Sequence, residues 1–167
     1  ALGSGQSNAS STGMAPSADL VMYALEHDPT GVFGRIGSIY DLLRDAEQMT
    51  ARVAINAWGA NGNYGQYSAD SRSVDILVHD KPAMLPLFSV GDRGAQGASQ
   101  ITPPSTAKNV LAIGASGTGT TLDTVASFSS NGPSLDGRIK PDLVAPGVDL
   151  CSGRAEEAKT SPGTACA

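Results

Sequence analysis

Charge, aromatic rings and cysteine are all scarce in this sequence. Of its 167 residues, 16% are charged and 5% aromatic, and only two are cysteine. The net charge is −5 and no basic run occurs, so the sequence argues against nucleic acid or an anionic membrane as a partner. No apolar stretch approaches the roughly 20 residues of a membrane helix. The chain also opens without the basic region and apolar run of a signal peptide.

Glycine and small apolar residues are abundant in this sequence. Twenty glycines accompany a hydrophobic share of 40%. This composition predicts close-packed layers joined by tight turns. The length suits one domain over residues 1–167, large enough to bury a core.

Apolar periodicity predicts an α/β fold with a parallel sheet flanked by helices. Short apolar runs bounded by turn residues predict strands at residues 20–25, 53–56, 82–90, 109–115 and 143–145. Apolar residues at helical spacing predict helices over residues 36–51 and 68–79. Alternating strands and helices specify parallel pairing with right-handed crossovers. Ligands bind such sheets at the carboxyl ends of strands, where residues 57–59 and 91–94 are expected.

The two cysteines, Cys151 and Cys166, leave two interpretations open. They flank the final loop and either close it as a disulfide or stay as free thiols, because only geometry decides between the two. No cluster of metal ligands and no phosphate-binding glycine motif is visible in the sequence.

Six motifs, in order along the chain, resemble those of the subtilisin-like serine proteases (subtilases). They read GMAPSADL, INAWG, FSVGDRG, PSTAKNVLAIGAS, FSSNGPSLDGRIKPDLVAPG and PGTACA. The resemblance is nearest to larger, alkaline-type bacterial members. It implies a subtilisin-like fold, a peptide or protein substrate, hydrolysis through an acyl-enzyme and a secreted, extracellular location. Calcium is implied by the resemblance alone.

The resemblance also implies two substrate-binding segments. One comprises Asn56, Ala57, Trp58 and Gly59; the other comprises Ser89, Val90 and Gly91. Their exposed backbone would pair with an extended peptide while pockets sort its side chains. For Trp58, the alternative is an aromatic ring that is merely packed.

Two positions depart from the family pattern at the catalytic centre. Ala165 stands where the family has its nucleophilic serine, and a methyl group can neither attack a carbonyl nor donate a proton. Asp92 stands where the family has the asparagine that stabilises the oxyanion. An ionised carboxylate carries the wrong sign for that role, so only a protonated Asp92 or Arg93 would replace it. Asp92 as a turn residue is the alternative.

The catalytic aspartate and histidine motifs of the family are not found in this sequence, so both are expected upstream of Ala1. His27 and His79 lie outside any such motif and are expected to be solvated or to complement a helix end. Absent family segments, or a partner chain, would then complete the sheet. Ala165 is either an engineered replacement of serine or the mark of a natural pseudoprotease that binds peptides.

Overall fold

A computed structural model describes residues 13–27, 32–33, 37–148 and 150 of the chain. Its main element is a sheet of four parallel strands in sequence order. The strands are β3 (Val53–Asn56), β4 (Leu85–Ser89), β5 (Leu111–Ser116) and β6 (Leu143–Pro146). A separate antiparallel pair, β1 (Glu26–His27) and β2 (Val32–Phe33), precedes them. The parallel α/β fold and four of the five predicted strands are confirmed.

Two capped helices lie where the periodicity predicted them. The helix α1 (Ile39–Gln48) begins after Ser38, whose hydroxyl accepts the amide of Asp41 at 3.1 Å. The helix α2 (Ala69–Asp80) begins with a capping box, in which Ser68 and Ser71 each accept the other's amide. Such caps satisfy amides that have no partner within the helix.

The core lies on one face of the sheet. Both helices contribute to a cluster of buried side chains around Phe88: Ile39, Leu43 and Ala46 from α1, Val74 and Leu77 from α2, with Met84, Ala107 and Val110. A second cluster, Val90, Ile101 and Ala112, adjoins it. Full burial of one large apolar side chain contributes about 1.5–3 kcal/mol, so this face dominates the stability of the described residues.

The other face of the sheet, here called the open face, is apolar and lacks a cover among the described residues. Strand register places seven large apolar side chains on it: Val53, Ile55, Leu85, Leu87, Leu111, Ile113 and Leu143. Ile55 is 61% exposed and Leu143 is 55% exposed. Parallel sheets normally have both faces covered, and the described part of the chain contains one layer of the predicted flanking helices.

The strand predicted over residues 20–25 is wrong. These residues form no regular structure, and Met22 is 83% exposed. A gap of about 620 Å³ separates them from β3, which is hydrogen-bonded to a neighbouring strand on one side only. An apolar run becomes a strand only where backbone partners are available, and no described strand pairs with this run.

Candidate functional site

Two loops leave the sheet at the carboxyl ends of β3 and β4, as the sequence predicted. A segment of three residues, 101–103, lies between them and is hydrogen-bonded to both. The amide of Thr102 donates to the carbonyl of Val90 at 2.9 Å, and the amide of Ala60 donates to the carbonyl of Pro103 at 2.7 Å. The two predicted substrate-binding segments, residues 56–59 and 89–91, therefore lie on either side of one fixed segment.

Asn56 serves the sheet itself. Its side chain is buried, and the Nδ2 atom donates to the carbonyls of Ala54 at 3.1 Å and Leu87 at 3.2 Å. Both bonds fix the point at which the loop leaves β3. The side-chain amide of Asn56 thus positions the following residues, and Ala57 and Gly59 are exposed beyond it.

The indole of Trp58 packs at the edge of the core. Its ring centroid lies 5.8 Å from that of Phe88, with the planes at 81° in an edge-to-face arrangement. Such a contact adds to the stabilisation that burial gives. The packed-aromatic interpretation of Trp58 therefore has a physical basis, and its contact with substrate stays a prediction.

Gly59 and Gly91 both face the side chain of Thr102. A methyl group built on Gly59 would overlap the Cγ2 atom of Thr102, and one built on Gly91 would overlap its Oγ1 atom. Gly91 also has a φ of +92°, which side-chain-bearing residues rarely adopt. Both segments therefore present bare backbone at this point.

The side chain of Arg93, in the loop after β4, contacts two neighbouring side chains. The guanidinium lies 4.2 Å from the ring centroid of Tyr64, and its Nε atom donates to Oε1 of Gln100 at 3.3 Å. The Arg93 amide donates to Oγ of Ser130 at 3.0 Å. Asp92, beside it, is exposed. The expectation that Arg93 replaces the missing donor requires it to leave Tyr64 and Gln100.

Sequence reasoning missed two residues that organise these loops, Thr102 and Ser130. Ser130 accepts the amide of Arg93 through its hydroxyl, and its own amide donates to the carbonyl of Gly91 at 2.9 Å. The FSS triplet at residues 128–130 was visible in the sequence, but its contact with a loop some 40 residues away was not. Thr102 carried no sequence signal at all.

Several predicted features lie outside the described residues. These are Ala165, at the nucleophile position, and the two cysteines, Cys151 and Cys166.

His79 lies in the last turn of α2, as predicted. His27 lies in β1.

The described part of the chain has neither a metal-ligand cluster nor a membrane-spanning helix. The described residues contain no group of three His, Cys, Asp or Glu side chains placed to hold a metal ion. None of the helices among them has both the length and the apolar character needed to cross a bilayer.

The fold and the loops define a parallel α/β protein with two loops held together at the strand ends, and known proteins resemble it. Two solved structures superpose on it: the prenylagaramide maturation protease PagA (TM-score 0.51, 18% identity, 67% of this chain and 37% of PagA) and the PatG macrocyclase in complex with peptide (TM-score 0.53, 17% identity, 70% of this chain and 32% of PatG). At these identities the likeness establishes the fold.

The family is established by sequence. A family model described as the Subtilase family (Peptidase_S8) matches residues 1–166. Serine protease AprX of Bacillus subtilis (strain 168) is 44% identical over 59 residues, which cover 33% of this chain and 13% of AprX. This chain belongs to the subtilase family. It spans about an eighth of AprX and about a third of each structural relative.

Proposed function

We propose that residues 57–59 and 89–91 form the two walls of a peptide-binding cleft in a subtilisin-like serine endopeptidase. The observation that supports this proposal is the segment 101–103, which is hydrogen-bonded to both loops and holds them on either side of Thr102. Exposed backbone at such an edge binds an extended peptide main chain. PatG, which shares the fold, is described as a complex with peptide.

The chemistry of the family requires a nucleophile that this chain lacks. A serine hydroxyl attacks the scissile carbonyl after giving its proton to a histidine. Ala165 at that position has no atom able to do either. We therefore propose that the chain as given binds peptides without cleaving them. A secreted, extracellular location follows from the family resemblance and is part of this proposal.

A natural pseudoprotease is the second candidate, and Asp92 and Arg93 favour it. The resemblance assigns Asp92 to the oxyanion position, its side chain is exposed, and the neighbouring guanidinium contacts Tyr64 and Gln100. A change at both the nucleophile and the oxyanion position is typical of a chain that has lost catalysis. Such a protein would bind extended peptides or serve as an interaction scaffold.

Fluorophosphonate labelling of the full-length protein separates the two candidates. The reagent phosphonylates only an activated serine, so the Ala165→Ser variant is expected to label if the remaining machinery belongs to a working protease. The matched control is Cys166→Ser, which places a hydroxyl one residue further on and is expected to stay unlabelled.

The role of Asp92 is measured in the same assay. In the Ala165→Ser background, Asp92→Asn restores a neutral donor and is expected to raise the labelling rate about 100- to 1000-fold. A folded Ala165→Ser variant that fails to label, with or without Asp92→Asn, contradicts the protease and favours the pseudoprotease.

A further inference from the structure

The sequence contains two asparagine–glycine pairs, at residues 61–62 and 131–132. An asparagine followed by glycine is able to cyclise, because the glycine nitrogen attacks the carbonyl carbon of the asparagine side chain and no Cβ atom hinders its approach. This reaction makes asparagine a thermolabile residue. The attack requires a glycine amide that is free to move, and the structure gives the two pairs opposite surroundings.

The pair Asn131–Gly132 is held in place by hydrogen bonds. The Gly132 amide donates to the carbonyl of Lys140 at 3.0 Å, and the carbonyl of Asn131 accepts the amide of Gln100 at 3.0 Å. A methyl group built on Gly132 would overlap the Lys140 carbonyl oxygen, so this glycine is also closely packed. Attack by its nitrogen therefore requires a local opening that breaks the hydrogen bond to Lys140.

The pair Asn61–Gly62 is open. Asn61 is exposed, and the Gly62 amide donates to no residue within the described ranges. Nothing among those residues lies within 4 Å of a methyl group built on Gly62. Its φ of +124° belongs to a region that glycine adopts readily. The Gly62 nitrogen can therefore approach the side chain of Asn61 without breaking a backbone hydrogen bond.

Tyr64 places a hydrogen-bond donor on the carbonyl that would react. Its hydroxyl donates to Oδ1 of Asn61 at 2.6 Å, and this oxygen gains negative charge when the Gly62 nitrogen attacks. A donor placed where charge develops lowers the barrier to reaction. The Arg93 guanidinium lies 4.2 Å from the centroid of the Tyr64 ring. This cation–π contact stabilises the ring position that keeps the hydroxyl on Oδ1.

We propose that Asn61 is a site of spontaneous deamidation, promoted by the Tyr64 hydroxyl. The Gly62 nitrogen bonds to Cγ of Asn61, and its proton passes through water to Nδ2. The Cγ–Nδ2 bond breaks and ammonia leaves. Water then opens the cyclic imide at either carbonyl, which gives aspartate or isoaspartate. Each conversion consumes one water molecule and releases one ammonia molecule.

The reaction changes both charge and backbone beside segment 101–103. Either product carries an anion where the parent has a neutral side chain. Isoaspartate also adds one atom to the backbone between Ala60 and Gly65, whose amides both donate at 2.7 Å to carbonyls of that segment. The inference goes beyond the proposed peptide binding and does not depend on it, because the reaction needs only residues 61–64 and water.

Peptide mapping by mass spectrometry measures the reaction at both pairs in one sample. The full-length protein is incubated near neutral pH, either folded in buffer or unfolded in guanidinium chloride, and is digested at successive times. Deamidation is detected as a gain of one mass unit, and isoaspartate is separated from aspartate by chromatography. The ratio of the Asn61 rate to the Asn131 rate is expected to be about tenfold or more higher in the folded protein than in the unfolded one. A smaller difference overturns the inference.

Tyr64→Phe tests the role of the hydroxyl. Phenylalanine keeps the aromatic ring next to Arg93 and removes only the donor to Asn61. The rate at Asn61 is therefore expected to fall about two- to tenfold, while the rate at Asn131 stays unchanged. A rate at Asn61 that is unchanged or higher overturns the part assigned to Tyr64. Asn61→Gln keeps an amide but lengthens the side chain, so this control is expected to stay unmodified at position 61.

Discussion

Single polar side chains connect the loops of this protein by hydrogen bonds, and Arg138 is one example. Its guanidinium donates to the Thr106 carbonyl at 2.8 Å and to the Ala107 carbonyl at 3.4 Å. It also pairs with Asp136 at 2.9 Å. Asp136 in turn accepts the hydroxyl of Ser134 at 2.6 Å. These contacts connect the DGR turn at residues 136–138 to residues 106–107, which lie shortly after segment 101–103.

The acidity of Asp136 reports on this arrangement. The hydrogen bond from Ser134, and after it the one from Arg138, lowers the pKa of Asp136 from 3.8 to about 2. Because the folded state favours the ionised carboxylate, its stabilising effect is complete above about pH 4 and is lost as the pH falls towards 2. Ser134→Ala is expected to raise the pKa of Asp136 towards its ordinary value. The titration of the Asp136 carboxyl carbon by NMR measures both midpoints.

The comparison with Ser134→Ala also shows what would contradict this account. A parent midpoint near pH 4 would mean that neither hydrogen bond persists in solution. A midpoint that stays near 2 in Ser134→Ala would mean that Ser134 is not the main cause. Arg138→Lys keeps the positive charge but changes the hydrogen bond to Asp136, and it serves as the control for the contribution of Arg138 to the lowered pKa.

Sequence motifs located the substrate-binding segments but not the contacts that hold them. Residues 57–59 follow β3, and residues 89–91 lie at the carboxyl end of β4, in both prediction and structure, because strand ends can be read from turn residues. Thr102 and Ser130 could not be found in this way, since Thr102 lies in none of the motifs and Ser130 acts on residues that are distant in sequence. The side-chain bonds of Asn56 to the sheet were likewise invisible.

At the scale of elements, β6 is joined to β5 by more than the strand ladder. The Asp142 carboxylate accepts the amide of Ala112 at 2.7 Å and pairs with the Lys140 ammonium at 2.6 Å. The Lys140 side chain is only 4% exposed, whereas that of Asp142 is 32% exposed. The Lys140 ammonium has little access to water, so its charge is stabilised mainly by Asp142. The more exposed Asp142 carboxylate can also be solvated.

Removal of either member of the pair is expected to have unequal consequences. Asp142→Ala leaves a buried ammonium without an anion, so we expect the free energy of unfolding to fall by about 3 kcal/mol. Lys140→Met is expected to cost less, because water reaches the remaining carboxylate. The double variant is expected to be more stable than Asp142→Ala alone. Urea denaturation of the four proteins measures these differences, and equal losses in Asp142→Ala and the double variant would contradict the account.

The helices and β3 were predicted well, because nearby residues mark their ends. The strand at residues 20–25 was predicted wrongly, because its formation depends on a pairing partner. The helices α1 and α2 carry serine caps that the sequence displays, and β3 coincides with its predicted bounds. The run at residues 20–25 has the composition of a buried strand, yet pairing partners decide whether a strand forms. Composition cannot supply those partners.

At the scale of the whole molecule, the sheet has an apolar open face and an edge, at β3, that no described strand covers. Val53 and Ile55 lie on both, and they are 53% and 61% exposed. An uncovered apolar face beside an unpaired strand edge favours association with further polypeptide, whether another segment of the family domain or a partner chain.

The 167-residue chain by itself is therefore expected to self-associate reversibly. Light scattering after size exclusion should give a mass above 16.9 kDa that rises with concentration. Ile55→Lys places a charge on the open face and is expected to reduce this association. Ile139→Lys is the matched control, because Ile139 is 86% exposed but lies outside the sheet. A chain that stays monomeric at all concentrations, or equal effects of both substitutions, would contradict this prediction.

The contact of Thr102 with Gly59 and Gly91 also constrains the order in which mutations accumulate. A substitution of Gly59 by alanine meets the threonine methyl group and is harmful in the present background. Loss of that methyl group from position 102 removes the closest of these contacts and leaves the Pro103 carbonyl oxygen at 3.0 Å from the added methyl group. A mutational path that changes position 102 first therefore meets less steric strain than the reverse path.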